Sequence, residues 1–233
     1  MHPDDVVLFA IIGVVVLFAV LLVAAGLVVG YRRSRDHGHA MASFAARRGF
    51  QSRPDPENAR AGGSATVLLG MVDGVRVGLR NVLRGSSGSL TSVTRVQAWA
   101  VPAPPDAFVA YTPSFRYASG GQNDSTTILD DPTEAALVGI ARDDVIGDPA
   151  LDAVLAIHAD PQGMAAAILR SPPMKQAVLD AVARIRHLRI VGGNVVSDFP
   201  REATRDVEME ERVREVVRVA RALGAAVATL GVG

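Results

Sequence analysis

Asp143, Asp144, Asp148 and Asp152 form the densest group of carboxylates in the sequence. A hard divalent cation, which takes several oxygen ligands, is the chemistry such a group would serve, and a metal-dependent hydrolase would draw on Asp144, Asp148 and Asp152. The spacing matches no EF-hand loop, and Asp148-Pro149 has the form of a turn or a helix start, with the carboxylate capping and the proline in the first turn. The reading therefore favours structural punctuation here and predicts no cofactor. His37 and His39 offer two imidazoles with no third ligand nearby, a poor metal site, so a solvated linker is expected for them. His158 sits in an apolar strand, and His187 ends a helix, where positive charge is favoured in any case.

Nucleophilic and phosphate chemistry find no better footing. There is no G-x-S-x-G elbow, and Ser171 stands one residue too far from Lys175 for an S-x-x-K dyad. The glycine pairs Gly62-Gly63, Gly120-Gly121 and Gly192-Gly193 lack the arrangement of a P-loop. The chain has no cysteine, which excludes disulfides, thiolate metal sites and thiol nucleophiles. Its 24 basic residues balance 24 acidic ones, so no net field favours nucleic acid. What is left is a non-catalytic binding or interaction module, with the hydrolase at the acidic cluster and a homodimeric membrane scaffold as the alternatives.

The strongest single feature lies at the N-terminus. Residues 6–30 run for 25 positions without a charge or a proline. As a helix they would rise about 37 Å, enough to cross a hydrocarbon core of about 30 Å with some tilt. The start, MHPDD, is acidic and the apolar run is too long for a cleaved secretory signal. Tyr31, Arg32, Arg33 and Arg35 follow at once, an aromatic anchor and a basic flank. Basic flanks stay in the cytoplasm, which predicts a single-pass protein of a bacterial inner membrane with its N-terminus outside. Gly26 and Gly30 form a G-x-x-x-G, the spacing at which two helix backbones can approach and dimerise.

These readings divide the chain into a tail (1–5), a span (6–30), a basic juxtamembrane linker (31–40), a cytoplasmic domain (41–224) and a C-terminal tail (225–233). Residues 41–48 read as a short helix closed by Gly49, and residues 53–64, with two prolines and two adjacent glycines, as loop. Residues 65–72 and 75–82 alternate around Asp73-Gly74, the signature of a tight hairpin. Residues 84–89 read as a flexible turn, residues 90–101 and 107–112 as further strands. Proline-led helices are expected after Asp131, Asp160 and Ser171, and a second tight hairpin around Gly192-Gly193-Asn194. A last helix is expected over residues 199–223, stopped by Gly224, with Met209, Val213, Val216, Val217, Ala220 and Leu223 on one stripe and Glu208/Arg212 and Glu210/Arg214 paired four apart. Strands first and helices later argue for an α+β domain with a mainly antiparallel sheet.

One stretch has a counterpart elsewhere. Gly147-Asp148-Pro149-Ala150-Leu151-Asp152, with the strand and proline-led helix after it, resembles a G-D-P-x-F-D segment of bacterial membrane-anchored proteins of unknown function, with Leu151 in place of the aromatic. Their layout is similar too, with an N-terminal span, a short helix ending in R-G-F (here Arg48-Gly49-Phe50) and a hairpin-rich middle. The resemblance implies architecture and assigns no functional residue.

Overall fold

The computed structural model describes residues 3–60, 63–86, 89–104, 107–112, 145–160, 163–185, 187–199 and 202–231. Helix α1, Pro3–Arg48, runs unbroken for 46 residues. Residues 31–40, where the composition predicts a linker, are helical, and packing is the reason. His37, Ala40, Met41, Phe44 and Ala45 recur at i, i+3, i+4, i+7 and i+8, and this stripe is buried or half-buried against the domain while residues 14–32 are exposed. The helix passes through Gly38, where nothing crowds the backbone. It ends at Gly49, in the left-handed conformation (φ 67°), and Phe50 N donates to Ala45 O over 2.9 Å.

Strand β1 (Gln51–Pro54) and helix α2 (Pro56–Arg60) occupy the stretch expected to be loop. β1 survives its proline because it lies at the sheet edge. Strands β2 (Thr66–Val72) and β3 (Val75–Ser86) turn at Asp73-Gly74, both with positive φ, as the Asp-Gly pair predicts. β3 then pairs with β4 (Ser89–Trp99) from Arg76↔Trp99 out to Ser86↔Ser89, so ladder pairing replaces most of the predicted flexible turn. Strands β5 (Ala107–Tyr111), β6 (Ala156–Asp160), β7 (Leu188–Val191) and β8 (Asn194–Asp198) complete an eight-stranded sheet in the order β1-β2-β3-β4-β8-β7-β5-β6, antiparallel throughout. The α+β class and the antiparallel sheet are as the element order predicts.

Helices α3 (Pro149–Asp152), α4 (Met164–Arg170), α5 (Pro172–Arg184) and α6 (Asp206–Leu230) follow the hairpins. α4 begins after Gly163 (φ 96°), not at Asp160, which ends β6. The helix expected after Asp131 lies outside the described residues. On α6 the whole predicted stripe from Met209 to Leu223 is buried, and the helix lies across β3, β4 and β8. Gly224 does not stop it. A Cβ there would stand 2.5 Å from Val101 O, so this glycine lets the helix press onto the chain after β4, and α6 continues to Gly231 (φ 66°). Leu79, Val96, Leu188 and Ile190 fill the layer between sheet and helices, each fully buried.

Candidate functional site

Two of the acidic residues are committed to local structure. Asp148 caps α3, accepting from Ala150 N at 3.0 Å and Leu151 N at 3.3 Å, and its other oxygen takes Lys175 Nζ at 2.5 Å. The hydrogen bond from Lys175 holds its carboxyl below the usual range, reinforced by the cap amides. Asp152 accepts from Ile146 N at 2.9 Å. Asp143 and Asp144 lie outside the described residues. Among the described residues no three potential ligands gather around a common point.

His37 departs from its expectation. It is buried at the seam between α1 and the sheet, and its Nδ1 donates to Ala203 O over 2.6 Å. Its Nε2 accepts from Asn81 Nδ2 over 2.7 Å. Asn81 Oδ1 accepts from Thr94 Oγ1 at 3.3 Å, and Thr94 Oγ1 accepts from Ala203 N at 3.0 Å, which closes a ring of four residues from α1, β3, β4 and the segment before α6. Arg47 pairs with Asp206 and Arg48 with Glu210, fastening the end of α1 to α6. Phe44 is fully buried and meets Phe50 edge to face at 5.2 Å, while Phe50 lies over Gly70, where any Cβ would strike the ring. The signal for this junction was present in the spacing from His37 to Ala45, hidden by the polar residues between.

The far face of the sheet carries charges. Arg80, Arg95 and Asp198 are direct cross-strand neighbours on β3, β4 and β8. Arg95 and Asp198 are buried and joined twice, Nε to Oδ1 at 2.7 Å and Nη2 to Oδ2 at 3.0 Å. Burial lowers the Arg95 pKa against the pull of Asp198, and Arg189 on β7 adds to the lowering. Arg80 reaches Asp55 at 3.0 Å. Beside this row is an open cavity of about 190 Å3, walled by Trp99, Leu69, Arg76, Arg80, Gln97 and Asp55, the carboxylate that Arg80 holds. Arg76 lies over the Trp99 ring, 4.9 Å from its centre. Gly78 forms the floor because an added Cβ would come within 3.0 Å of Trp99 Cη2. With Arg80 paired to Asp55, this surface offers the Arg76 guanidinium, the Gln97 amide and an aromatic wall. Period-two alternation marks Arg76, Gly78 and Arg80 as one face, yet it could not show Trp99 beside them.

On α6 neither predicted pair closes to an ion-pair contact, although Glu208 still attracts Arg212 at longer range. Glu208 takes Arg205 and Glu210 takes Arg48. Arg212 instead donates to Ser197 Oγ at 2.9 Å and Asp198 O at 2.6 Å, and lies 4.1 Å from the centre of the Phe199 ring. Burial lowers its pKa to about 10, against the raising effect of Asp198 and two glutamates. Buried Glu215 is held by Arg218 and Arg184.

On the apolar part of α1, Tyr31, Arg32 and Arg35 are exposed, and Arg33 lies between them on the same helix. Cβ positions at Gly26 and Gly30 would open into empty space. From residue 14 the helix is long and apolar enough to cross a membrane, with a mean hydropathy of 2.8 in its most apolar window.

Fold and surface together define an α+β domain with an antiparallel sheet carried on one N-terminal apolar helix. No protein-family model matches the sequence. No curated protein matches it either. Among solved structures it is similar to the mycobacterial trehalose monomycolate transport factor A, TtfA, at 12% identity and a TM-score of 0.50, over 81% of this chain and 95% of that one. The likeness is one of fold.

Proposed function

We propose that this chain is a single-pass protein of a bacterial inner membrane whose cytoplasmic domain binds a protein partner and catalyses nothing. The observation that carries the reading is the continuity of α1. The helix that is apolar enough to span a bilayer runs on without interruption and buries its last turns in the domain. The basic flank at Tyr31, Arg32, Arg33 and Arg35 supports retention of the domain inside, with the short acidic start outside. The hydrogen bonds that occupy Asp148 and Asp152 support structural use over hydrolysis. The fold's likeness to a transport factor is in keeping with a binding role at a membrane. The surface offered is the cationic, aromatic wall at Arg76 and Trp99.

Topology is tested with a C-terminal epitope. The protein should stay with membranes through alkaline carbonate, and protease should remove the domain in inverted vesicles but not in intact spheroplasts. Release by carbonate, or digestion in spheroplasts, overturns the proposal. Pairing of two spans through Gly26 and Gly30, both unobstructed, is a second reading. Crosslinking in the membrane should then fall in Gly26→Ile.

A further inference from the structure

We infer that α1 seats one anionic phospholipid where the apolar run ends, with the phosphate between Arg32 and Arg35 and an acyl chain along Leu27 and Val28; this rests on the reading of α1 as a span. A groove of about 600 Å3 follows one face of the helix, lined by Leu27, Val28, Tyr31, Arg32, Arg35, Asp36 and His39. All seven are exposed. Along this face apolar side chains give way to an aromatic ring and then to cations, which is the order of a lipid from chain to headgroup. The rise from Val28 to Arg32 is about 6 Å, and from Arg32 to Arg35 about 4.5 Å. Residues three apart are neighbours on a helix surface, so both guanidinium forks can reach one phosphate.

The charges here are not spent on the protein. Arg47 and Arg48, at the end of the same helix, are tied to Asp206 and Glu210. Among the described residues no carboxylate closes on Arg32 or Arg35: Asp36 reaches neither, and Arg35 Nε makes only a long bond of 3.4 Å to His39 Nε2. Two guanidinia against one carboxylate leave the groove net positive. Such cations beside hydrocarbon favour anionic lipid by about five-fold for each arginine.

The groove also lies clear of the domain. Arg32, Arg35 and His39 stand nearly half a turn around α1 from the buried His37 and Phe44. Asp36 and His39 border a second open space, of about 570 Å3, that runs on to Thr204 and Arg205, so a headgroup has room beyond its phosphate. A second copy of the helix is the poorer occupant. Parallel spans meeting through this face would set the arginines of one against those of the other.

The chain has no cysteine, so one fluorophore can be placed at Leu21→Cys, two turns deeper on the groove face, or at Val23→Cys on the opposite face. Both positions are exposed and leave the groove intact. The labelled full chain is reconstituted into phosphatidylcholine vesicles, and phosphatidylglycerol or phosphatidylcholine bearing a mid-chain nitroxide is titrated in as quencher. At position 21 phosphatidylglycerol should quench at a lower mole fraction than phosphatidylcholine, by about five-fold for each arginine, and at position 23 the two lipids should act alike. Arg32→Gln with Arg35→Gln should abolish the difference at 21, and excess soluble glycerol phosphate should leave it in place. Equal quenching by both lipids at 21 overturns the lipid site while the span stands. A preference of the same size at 21 and 23 also overturns it, because the arginines would then gather anionic lipid all around the helix. Loss of the preference to glycerol phosphate assigns the groove to a free phosphate instead, and quenching at 23 without quenching at 21 assigns it to protein. Absence of quenching at both positions removes the span and the lipid site together.

Discussion

Asn81 holds His37 by its one free nitrogen: the amide donates to Nε2 over 2.7 Å while Nδ1 donates to Ala203 O over 2.6 Å. The carbonyl partner on one side and the amide on the other satisfy both ring nitrogens and fix the orientation of the imidazole. Asn81→Leu strips Nε2 of its donor and the Thr94 hydroxyl of its acceptor in a buried seam. It should cost about 1–3 kcal/mol, read as a lower melting temperature and faster hydrogen exchange at residues 202–205.

Two glycine-to-alanine changes in helices should have opposite signs. At Gly38 nothing lies near the new methyl, so the substitution should stabilise by about 1 kcal/mol through helix propensity alone. At Gly224 the methyl would lie 2.5 Å from the Val101 carbonyl, a backbone atom that cannot rotate away. Overpacking of about 1–3 kcal/mol then outweighs the propensity gain. Thermal unfolding of the two variants distinguishes these effects.

Removing one member of the Arg95–Asp198 pair should be far worse than removing both. Asp198→Ala leaves a buried guanidinium beside Arg189 and should cost about 3–5 kcal/mol. The double change Arg95→Met with Asp198→Leu should recover much of that loss, measured by denaturant unfolding. Equal losses in single and double variants would mean that the pair contributes more than it costs to desolvate.

Acid should loosen the domain at two defined places. The hydrogen bond from Arg47 lowers the Asp206 pKa, and that from Lys175 lowers the pKa of Asp148. A depressed folded-state pKa contributes stability that is present above the unfolded value of about 4 and is lost as pH falls through the folded value. Melting temperature should therefore drop below about pH 4, and the slope should be shallower in Asp206→Asn, which removes one titrating group. An unchanged slope in that variant would exclude the α1–α6 ion pair as a source.

Much of the sheet could be read from alternation and turn chemistry. Asp73-Gly74 and Gly192-Gly193 both make the hairpins their residue types demand, because a turn needing positive φ has few solutions. The stripe on α6 was equally plain. The errors arose where tertiary contact overrode local preference. Residues 31–40 look like linker because polar residues separate His37 and Ala40, and only the seam with Asn81 and Ala203 makes that stripe worth ordering. Gly224 looks like a stop because a glycine after a helical run often is one, and the close approach of Val101 O is invisible without the fold. The surface at Trp99 was illegible for a related reason, since cross-strand register sets its neighbours.

An uninterrupted α1 has no swivel between lipid and sheet. One residue inserted near position 34 would turn everything after it by about 100° and lift it by about 1.5 Å. Were α1 to span a bilayer as proposed, torsion there would be geared directly to the compass bearing of the Arg76–Trp99 wall, and a partner embedded in the same leaflet would meet that wall at one azimuth only.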